Sequence, residues 1–201
     1  MKLLTSLFAL SLVSAFVFAQ SNMVRKAPEL AFTLPGDGDK LLSQYRGKVV
    51  ALEFILTTCP HCQAASRVMT KFQQQYGPRG FQALDLAINA LDEGRTPQQA
   101  ALLTESFANN FQVGFPVGYI GRDPMMSFMG FSVMDRMVVP QLVLIDRKGV
   151  IRYQTPASDA NDEYGKLMRE EAIQQHIEEL LAQPDSASTT ARHRAPAHKS
   201  I

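Results

Sequence analysis

The stretch KVVALEFILTTCPHC, residues 48–62, combines an apolar run with a closely spaced pair of cysteines. Its first part contains a single acid, Glu53, within an otherwise apolar run, which is typical of a central strand covered on both faces. Large apolar residues then recur on one helical face, which predicts a helix to about Tyr76. This strand-to-helix junction, which carries Cys59 and Cys62, decides the fold.

The rest of the chain alternates short apolar runs with amphipathic segments. Runs and periodicity predict a short edge strand at 27–34, a helical turn at 41–46, strands at 81–88 and 115–120, helices at 96–111 and 125–131, a β-hairpin at 141–154 and a last helix at 163–183. Thr96 is expected to cap its helix, with Pro97 at the first helical position. The order of elements predicts an α/β fold.

The two ends of the chain differ in composition from residues 27–183, which are expected to form one folded domain. A short basic start precedes an apolar run to Phe18, which predicts a signal peptide of residues 1–19 and export to the periplasm or cell envelope. An uncleaved membrane anchor is the alternative, because the run approaches the length that spans a bilayer. Residues 184–201 lack long apolar side chains until the last position, so a disordered tail is expected.

The composition excludes some functions and points to another. The chain has 201 residues, a formal net charge of +1 and no basic stripe interleaved with aromatic residues, so nucleic acid is not an expected partner. Its two cysteines are three positions apart. Structural disulfides of exported proteins usually close long loops, and structural zinc needs a second pair of ligands. The pair is therefore predicted to be redox-active, with no metal and no other cofactor.

The Cys59-Pro60-His61-Cys62 motif favours a thiolate at its first cysteine. The thiolate is the nucleophile in disulfide exchange, and free N–H groups at a helix start stabilise negative charge. Pro60 suits the first turn because its missing N–H is not needed there, and His61 can add a donor or a positive charge. Cys59 is expected to attack and Cys62 to resolve the mixed disulfide, with Pro60 and His61 touching the substrate.

Three features together resemble the thioredoxin fold: the apolar strand into Cys-x-x-Cys, the Val139-Pro140 pair before a strand, and the LIDRKG hairpin at residues 144–149. The resemblance covers roughly residues 27–183. Within this fold, the sequence is similar to the envelope thiol–disulfide oxidoreductases TlpA and ResA, which have an AhpC/TSA-type redoxin domain. It implies a three-layer sandwich, a central mixed sheet flanked by helices, with an added N-terminal strand and a mid-chain insertion. The dipeptide between the cysteines is instead similar to that of DsbA, a periplasmic oxidant.

The resemblance also implies roles outside the motif. Thioredoxins carry a buried acid six residues before the first cysteine, and Glu53 holds that position here. Glu53 is thus implied to move the proton of Cys62; the alternative is that the strand turns it to a wet edge. The Val139-Pro140 pair matches the cis-proline loop of the family, which lies beside the disulfide. That loop leaves the Val139 backbone free to pair with an extended substrate.

Disulfide exchange with the thiols or disulfides of exported proteins is the favoured function. The presence of His61 favours an oxidant or isomerase. The variant of the fold with an added N-terminal strand instead favours a reductant that receives its electrons from a membrane partner. A thiol peroxidase is the first alternative, but peroxiredoxins need Thr or Ser three residues and Pro seven residues before their reactive cysteine, where this chain has Leu56 and Leu52. A copper-binding thiol chaperone is the second, but related copper-delivery proteins place three residues between their cysteines.

A group of methionines precedes the Val-Pro pair, and its interpretation is open. Packing of a short helix is favoured, since Met commonly fills cores. An adaptable apolar lip for unfolded substrates, or a copper-binding patch, is the alternative. His176 on the last helix is expected to be solvated. The methionines are Met125, Met126, Met129, Met134 and Met137.

Overall fold

The computed structural model describes residues 24–160 and 162–184. The predicted leader of residues 1–19 lies outside the described residues, and so does the predicted tail from residue 185 onward. Along the chain the elements are β1 (Arg25–Lys26), β2 (Ala31–Leu34), β3 (Gly38–Leu41), β4 (Val49–Ile55), α1 (Pro60–Tyr76), β5 (Phe81–Ala87), α2 (Pro97–Asn110), β6 (Val117–Tyr119), α3 (Arg122–Met129), β7 (Gln141–Ile145), β8 (Val150–Gln154), α4 (Glu163–Leu167) and α5 (Glu170–Ala182), with 3₁₀ turns at Leu42–Tyr45, Gly77–Arg79 and Asp92–Gly94.

The strands form one mixed sheet with β4 and β5 at its centre. The spatial order is β1-β8-β7-β4-β5-β6-β2-β3. The strands β4, β5 and β6 run parallel to one another, whereas β7 is antiparallel to β4. Every residue of β4 is buried, because helices cover the sheet on both faces. This thioredoxin-like α/β arrangement confirms the predicted fold.

Alternate residues of β4 face two different layers. Leu52 and Phe54 pack with the buried residues of α3 on one face of the sheet. Ala51 packs with α1 and α5 on the other face, and Ile55 joins α2 and Cys62 there. Since side chains alternate along a strand, the position between these two, residue 53, also faces α1.

Several local predictions are confirmed by the backbone. The helix α1 follows β4 directly and ends at Tyr76, and β7 and β8 form the expected antiparallel hairpin. Thr96 caps α2: its hydroxyl accepts from the N–H of Gln99 at 3.3 Å, while the Gln99 side chain accepts from the N–H of Thr96 at 2.9 Å. Among the described residues, no helix is long and apolar enough to cross a membrane.

The N-terminal strand differs from the prediction. The strand is shorter, Ala31–Leu34, and it is not at an edge, because β6 pairs with one side of it and β3 with the other. The edge is β3, Gly38–Leu41, which sequence reasoning assigned partly to a turn. Its polar residues, Asp39 and Lys40, give no hydrophobic alternation, since this outermost strand is largely exposed.

The predicted last helix is two helices. The first ends at Leu167, and Arg169 has an extended backbone (φ −69°, ψ 137°) before α5 begins. The break lets Tyr164 reach the loop before β7, a tertiary contact that overrides the continuous helical pattern.

His176 is also not solvated as expected: its ring is half-buried and stacks on Tyr153 at 3.7 Å between ring centroids.

Candidate active site

The first cysteine lies at the junction between β4 and α1. Cys59 is the N-cap residue of α1 with an extended backbone (φ −85°, ψ 120°), and Pro60 occupies the first turn. Its side chain is half-buried, while Pro60 and His61 are exposed. Both cysteines are free thiols. The Cys59 side chain is therefore partly accessible at the start of the helix, next to its first free N–H groups.

The second cysteine lies inside the protein. Cys62 is fully buried among Ile55, Ala87 and Phe107. Burial raises the pKa of the Cys62 thiol well above its ordinary value, and the nearby Cys59 and Glu53 side chains add to the rise. Cys62 therefore stays protonated at neutral pH until a base removes its proton.

The loop before β7 lies against the first cysteine. The Val139–Pro140 peptide bond is cis, as expected from the resemblance, and the carbonyl of Val139 accepts from Cys59 Sγ at 4.0 Å. Two side chains hold this loop: the Tyr164 hydroxyl donates to the Pro140 carbonyl at 2.6 Å, and Gln141 Nε2 donates to the Val138 carbonyl at 2.7 Å. The backbone next to the sulfur is thus fixed from two sides.

The loop before the motif is held by an amide side chain. Asn89 Oδ1 accepts from the N–H of Thr57 at 3.1 Å, and Asn89 Nδ2 donates to the Thr57 hydroxyl at 3.1 Å. Gln63 Nε2 donates to the Thr57 carbonyl at 3.3 Å. These bonds connect the end of β5 to the turn that presents Cys59.

Glu53 faces α1 and is fully buried, so the alternative that it lies at a wet edge is wrong. Neither of its carboxyl oxygens has a hydrogen-bonding partner. Directly beside it in the sheet is Asp85 of β5, which is fully buried too. Burial, then the charge of Asp85, raises the pKa of Glu53 well above the ordinary value.

A groove opens beside the motif. It has a volume of about 630 Å³ and reaches from the loop before β7 to the start of α5. Glu53 and His61 contribute to its wall, together with Asp159 and Glu170. Its apolar lining includes Ala64, Val68, Met137, Met168 and Ile173.

Comparison with known proteins now identifies the family. Residues 24–168 match the Redoxin family. The chain belongs to it. It is 24% identical over 154 residues to the thiol-disulfide oxidoreductase ResA of Geobacillus thermodenitrificans, covering 77% of this chain and 75% of that one. It is also 26% identical over 150 residues to "Probable glutathione peroxidase 8-A" of Xenopus laevis, covering 69% and 71% of the two chains.

A solved structure supports the same fold. The crystal structure of a candidate thiol:disulfide interchange protein DsbE from Chlorobium tepidum superposes with a TM-score of 0.59 at 25% identity. The match covers 79% of this Redoxin chain and 97% of that chain. The chain therefore has a thioredoxin-like fold and a ResA-like sequence, and the family match includes both cysteines, Glu53 and the Val139–Pro140 loop.

The structure brings most of the predicted site residues of this Redoxin chain together. Cys59 and Val139 meet at half-buried positions, Pro140 is buried next to Val139, and Cys62 and Glu53 are fully buried nearby. The methionines are divided: Met125, Met126 and Met129 are buried in the core, which confirms packing for them, whereas Met137 lines the groove and Met134 is 88% exposed.

Sequence reasoning missed four residues that support the site. Asp85 had a signal, an acid within the apolar run of a predicted strand, as with Glu53. Ser66, Asn89 and Tyr164 had none, because their importance depends on partners in other elements.

Proposed function

We propose that this chain is a thiol–disulfide oxidoreductase that exchanges disulfides with exported proteins through Cys59 and Cys62. One observation carries the proposal: an accessible sulfur at the start of α1 lies 4.0 Å from the Val139 carbonyl, with a buried thiol one turn behind it. Thiolate chemistry needs an accessible nucleophile, and resolution needs a second sulfur close to the first.

The exchange uses both cysteines in turn. The Cys59 thiolate attacks a substrate disulfide, so one substrate sulfur leaves as a thiolate and a mixed disulfide forms. Cys62 gives up its proton and attacks Cys59, which releases the second substrate sulfur with its electron pair. Two protein thiols are then oxidised to a disulfide and one substrate disulfide is reduced to two thiols. The reverse sequence oxidises a substrate by the same contacts.

The substrate surface is the groove together with the loop before β7. An extended segment can pair its backbone with Val139, as in β-strand addition. Its apolar side chains would then enter the groove, whose lining includes Val68, Met137 and Met168. Flexible Met side chains suit a surface that accepts varied sequences. Export to the cell envelope rests on the predicted leader of residues 1–19, and a membrane electron donor or acceptor would be the redox partner.

A defined disulfide substrate tests the proposal. We expect the wild-type chain to accelerate reduction of insulin by dithiothreitol, and Cys59→Ser to abolish the acceleration. Cys62→Ser should accumulate a mixed disulfide with a disulfide-bonded model peptide, seen as an added mass on the protein. The matched Cys59→Ser variant should form none, since its remaining thiol is buried. Exchange that persists in Cys59→Ser would contradict the assignment.

A thiol peroxidase is the competing function, because one relative is named a glutathione peroxidase. The residue three positions before Cys59 is Leu56, and Leu52 is buried in the opposite face of the sheet. Leu56 lacks the hydroxyl, and Leu52 replaces the proline, that the peroxiredoxin pattern requires at these positions. Rapid peroxide consumption by the reduced chain, lost in Cys59→Ser, would favour this function instead.

A further inference from the structure

The candidate site contains a second buried acid. Glu53 and Asp85 occupy paired positions on the parallel strands β4 and β5, and neither side chain has any exposed surface. Three of their four carboxyl oxygens lack a hydrogen-bonding partner: both oxygens of Glu53 and Oδ1 of Asp85. The fourth, Asp85 Oδ2, is 2.6 Å from Ser66 Oγ on α1.

Two ionised carboxylates cannot satisfy each other in this position. They have no hydrogen to share, and two like charges out of water repel strongly. The two residues are nevertheless directly paired on adjacent strands, and the charge of Asp85 contributes to the raised pKa of Glu53. A single proton between them removes one charge and supplies the missing hydrogen bond. The arrangement thus fits a pair that carries one proton.

Ser66 lies between Asp85 and the backbone carbonyl of the second cysteine. Its hydroxyl oxygen is 2.6 Å from Asp85 Oδ2 and 3.0 Å from the carbonyl oxygen of Cys62. A hydroxyl has one hydrogen to donate, so it cannot donate to both. When Asp85 is protonated it can donate to Ser66, which then donates to the backbone carbonyl of Cys62; when Asp85 is ionised, Ser66 donates to it instead.

We propose that Glu53 and Asp85 share one proton and together exchange protons with the Cys62 thiol, with Asp85 as a positioning residue that acts through Glu53. The inference deepens the proposed disulfide exchange and rests on it. As Cys62 attacks Cys59 in the mixed disulfide, the Cys62 proton moves to the ionised carboxyl. The Cys59–Cys62 bond forms, the bond to the substrate breaks, and the substrate sulfur leaves with its electron pair.

The surroundings of the pair keep water away from it. Its neighbours in the sheet are apolar, Leu142 of β7 beside Glu53 and Val117 of β6 beside Asp85. Glu53 has no exposed surface but adjoins the groove, so the proton taken from Cys62 leaves the pair on that side.

The titratable groups that face the pair come from three elements and the groove. Burial is the largest cause of the raised pKa at both acids, although Ser66 and Glu53 oppose the rise at Asp85. Tyr164 of α4 also has a raised pKa, first through burial and then through the charges of Cys62 and Glu53, so it stays a neutral donor. The groups are the N-cap residue Cys59, His61 and Cys62 of α1, Tyr164 of α4, Glu170 of α5, and Asp159 at the groove.

The pH dependence of the resolving step tests the role of Asp85. The step can be followed in a single turnover, starting from the mixed disulfide of the full chain with a model peptide. Asp85→Asn removes the charge that raises the pKa of Glu53. The pH at which the rate is half-maximal should therefore fall by about one unit or more. The exposed Asp92 provides the matched control, and Asp92→Asn should leave that midpoint unchanged. An unchanged midpoint in Asp85→Asn would overturn the proposal.

Titration of the carboxyl groups in the reduced wild-type chain provides a second test. It requires neither catalytic activity nor a folded variant. With ¹³C-labelled Asp and Glu, the pair should lose its two protons in separate steps, the upper one well above the ordinary value of about 4. Titration of both carboxyls together near about pH 4 would reject the shared proton even if insulin is reduced. Separate steps in a chain that reduces no disulfide would reject the proposed function and leave the shared proton standing.

Discussion

At the level of single residues, burial gives two identical thiols different tasks. Cys59 is half-buried at a helix start, where the proposed exchange has it meet the substrate first, whereas Cys62 has no exposed surface and a raised pKa. A buried thiol with a high pKa is a poor nucleophile until a base takes its proton. In the proposed mechanism, the speed of the second step therefore depends on the base that takes this proton, which we assign to Glu53.

Replacement of this base should slow one step and spare the other. We expect Glu53→Gln to slow resolution of the mixed disulfide about tenfold or more at pH 7, because a positioned proton acceptor is lost. Attack by Cys59 on a substrate disulfide should change little. Single-turnover mass spectrometry separates the two steps. Glu105→Gln, an exposed acid on α2, serves as the matched control. Unchanged resolution in Glu53→Gln would remove Glu53 from the mechanism.

The sequence reveals those site residues whose chemistry shows in a local pattern. Cys59 and Cys62 stand out by spacing, Glu53 by its apolar neighbours, and Pro140 by the family's Val-Pro pair. Supporting residues such as Asn89 are chosen by contacts between distant segments: its side chain bonds to Thr57, 32 positions earlier. No local pattern carries that information.

At the level of elements, strong local signals predicted structure well and weak ones did not. The hydrophobic run of β4 and the capped start of α2 lie where the sequence indicates. The polar strand β3 was missed because exposed edge strands need no alternation. The break between α4 and α5 was missed because it depends on the contact of Tyr164 with Pro140, far away in sequence.

The cap of α2 allows a measurement at this scale. Thr96→Ala removes a hydroxyl that satisfies an otherwise free N–H of the first turn. The free energy of unfolding should fall by about 1 kcal/mol. Urea denaturation measures it, with Ser127→Ala on the exposed side of α3 as the control, which should change stability much less. An equal effect of both substitutions would show that the cap contributes nothing specific.

At the level of the whole molecule, the buried acids make stability depend on pH. Their pKa values are raised in the folded state, so between the ordinary value of about 4 and the raised values the native chain binds more protons than the unfolded chain. Stability should therefore fall as pH rises through that window. We expect the oxidised wild type to unfold at a higher urea concentration at pH 5 than at pH 8.

Removal of both charges checks the origin of this trend. In the Glu53→Gln, Asp85→Asn double variant, the loss of stability from pH 5 to pH 8 should shrink by about 1 kcal/mol or more, since one unit of pKa shift corresponds to about 1.4 kcal/mol. A pair of exposed substitutions, Glu105→Gln with Asp92→Asn, should keep the wild-type trend. An undiminished trend in the buried variant would place its origin in other groups.

The two edge strands of the sheet affect whether the chain aggregates with unfolded polypeptides. One edge, β1, is two residues long, and the other, β3, is four residues long and carries Asp39 and Lys40. Short, charged edges offer few free backbone groups to an approaching strand and oppose aggregation. In the proposed exchange, an unfolded segment of another protein can therefore pair with the loop before β7 without also adding as a strand to an edge of the sheet.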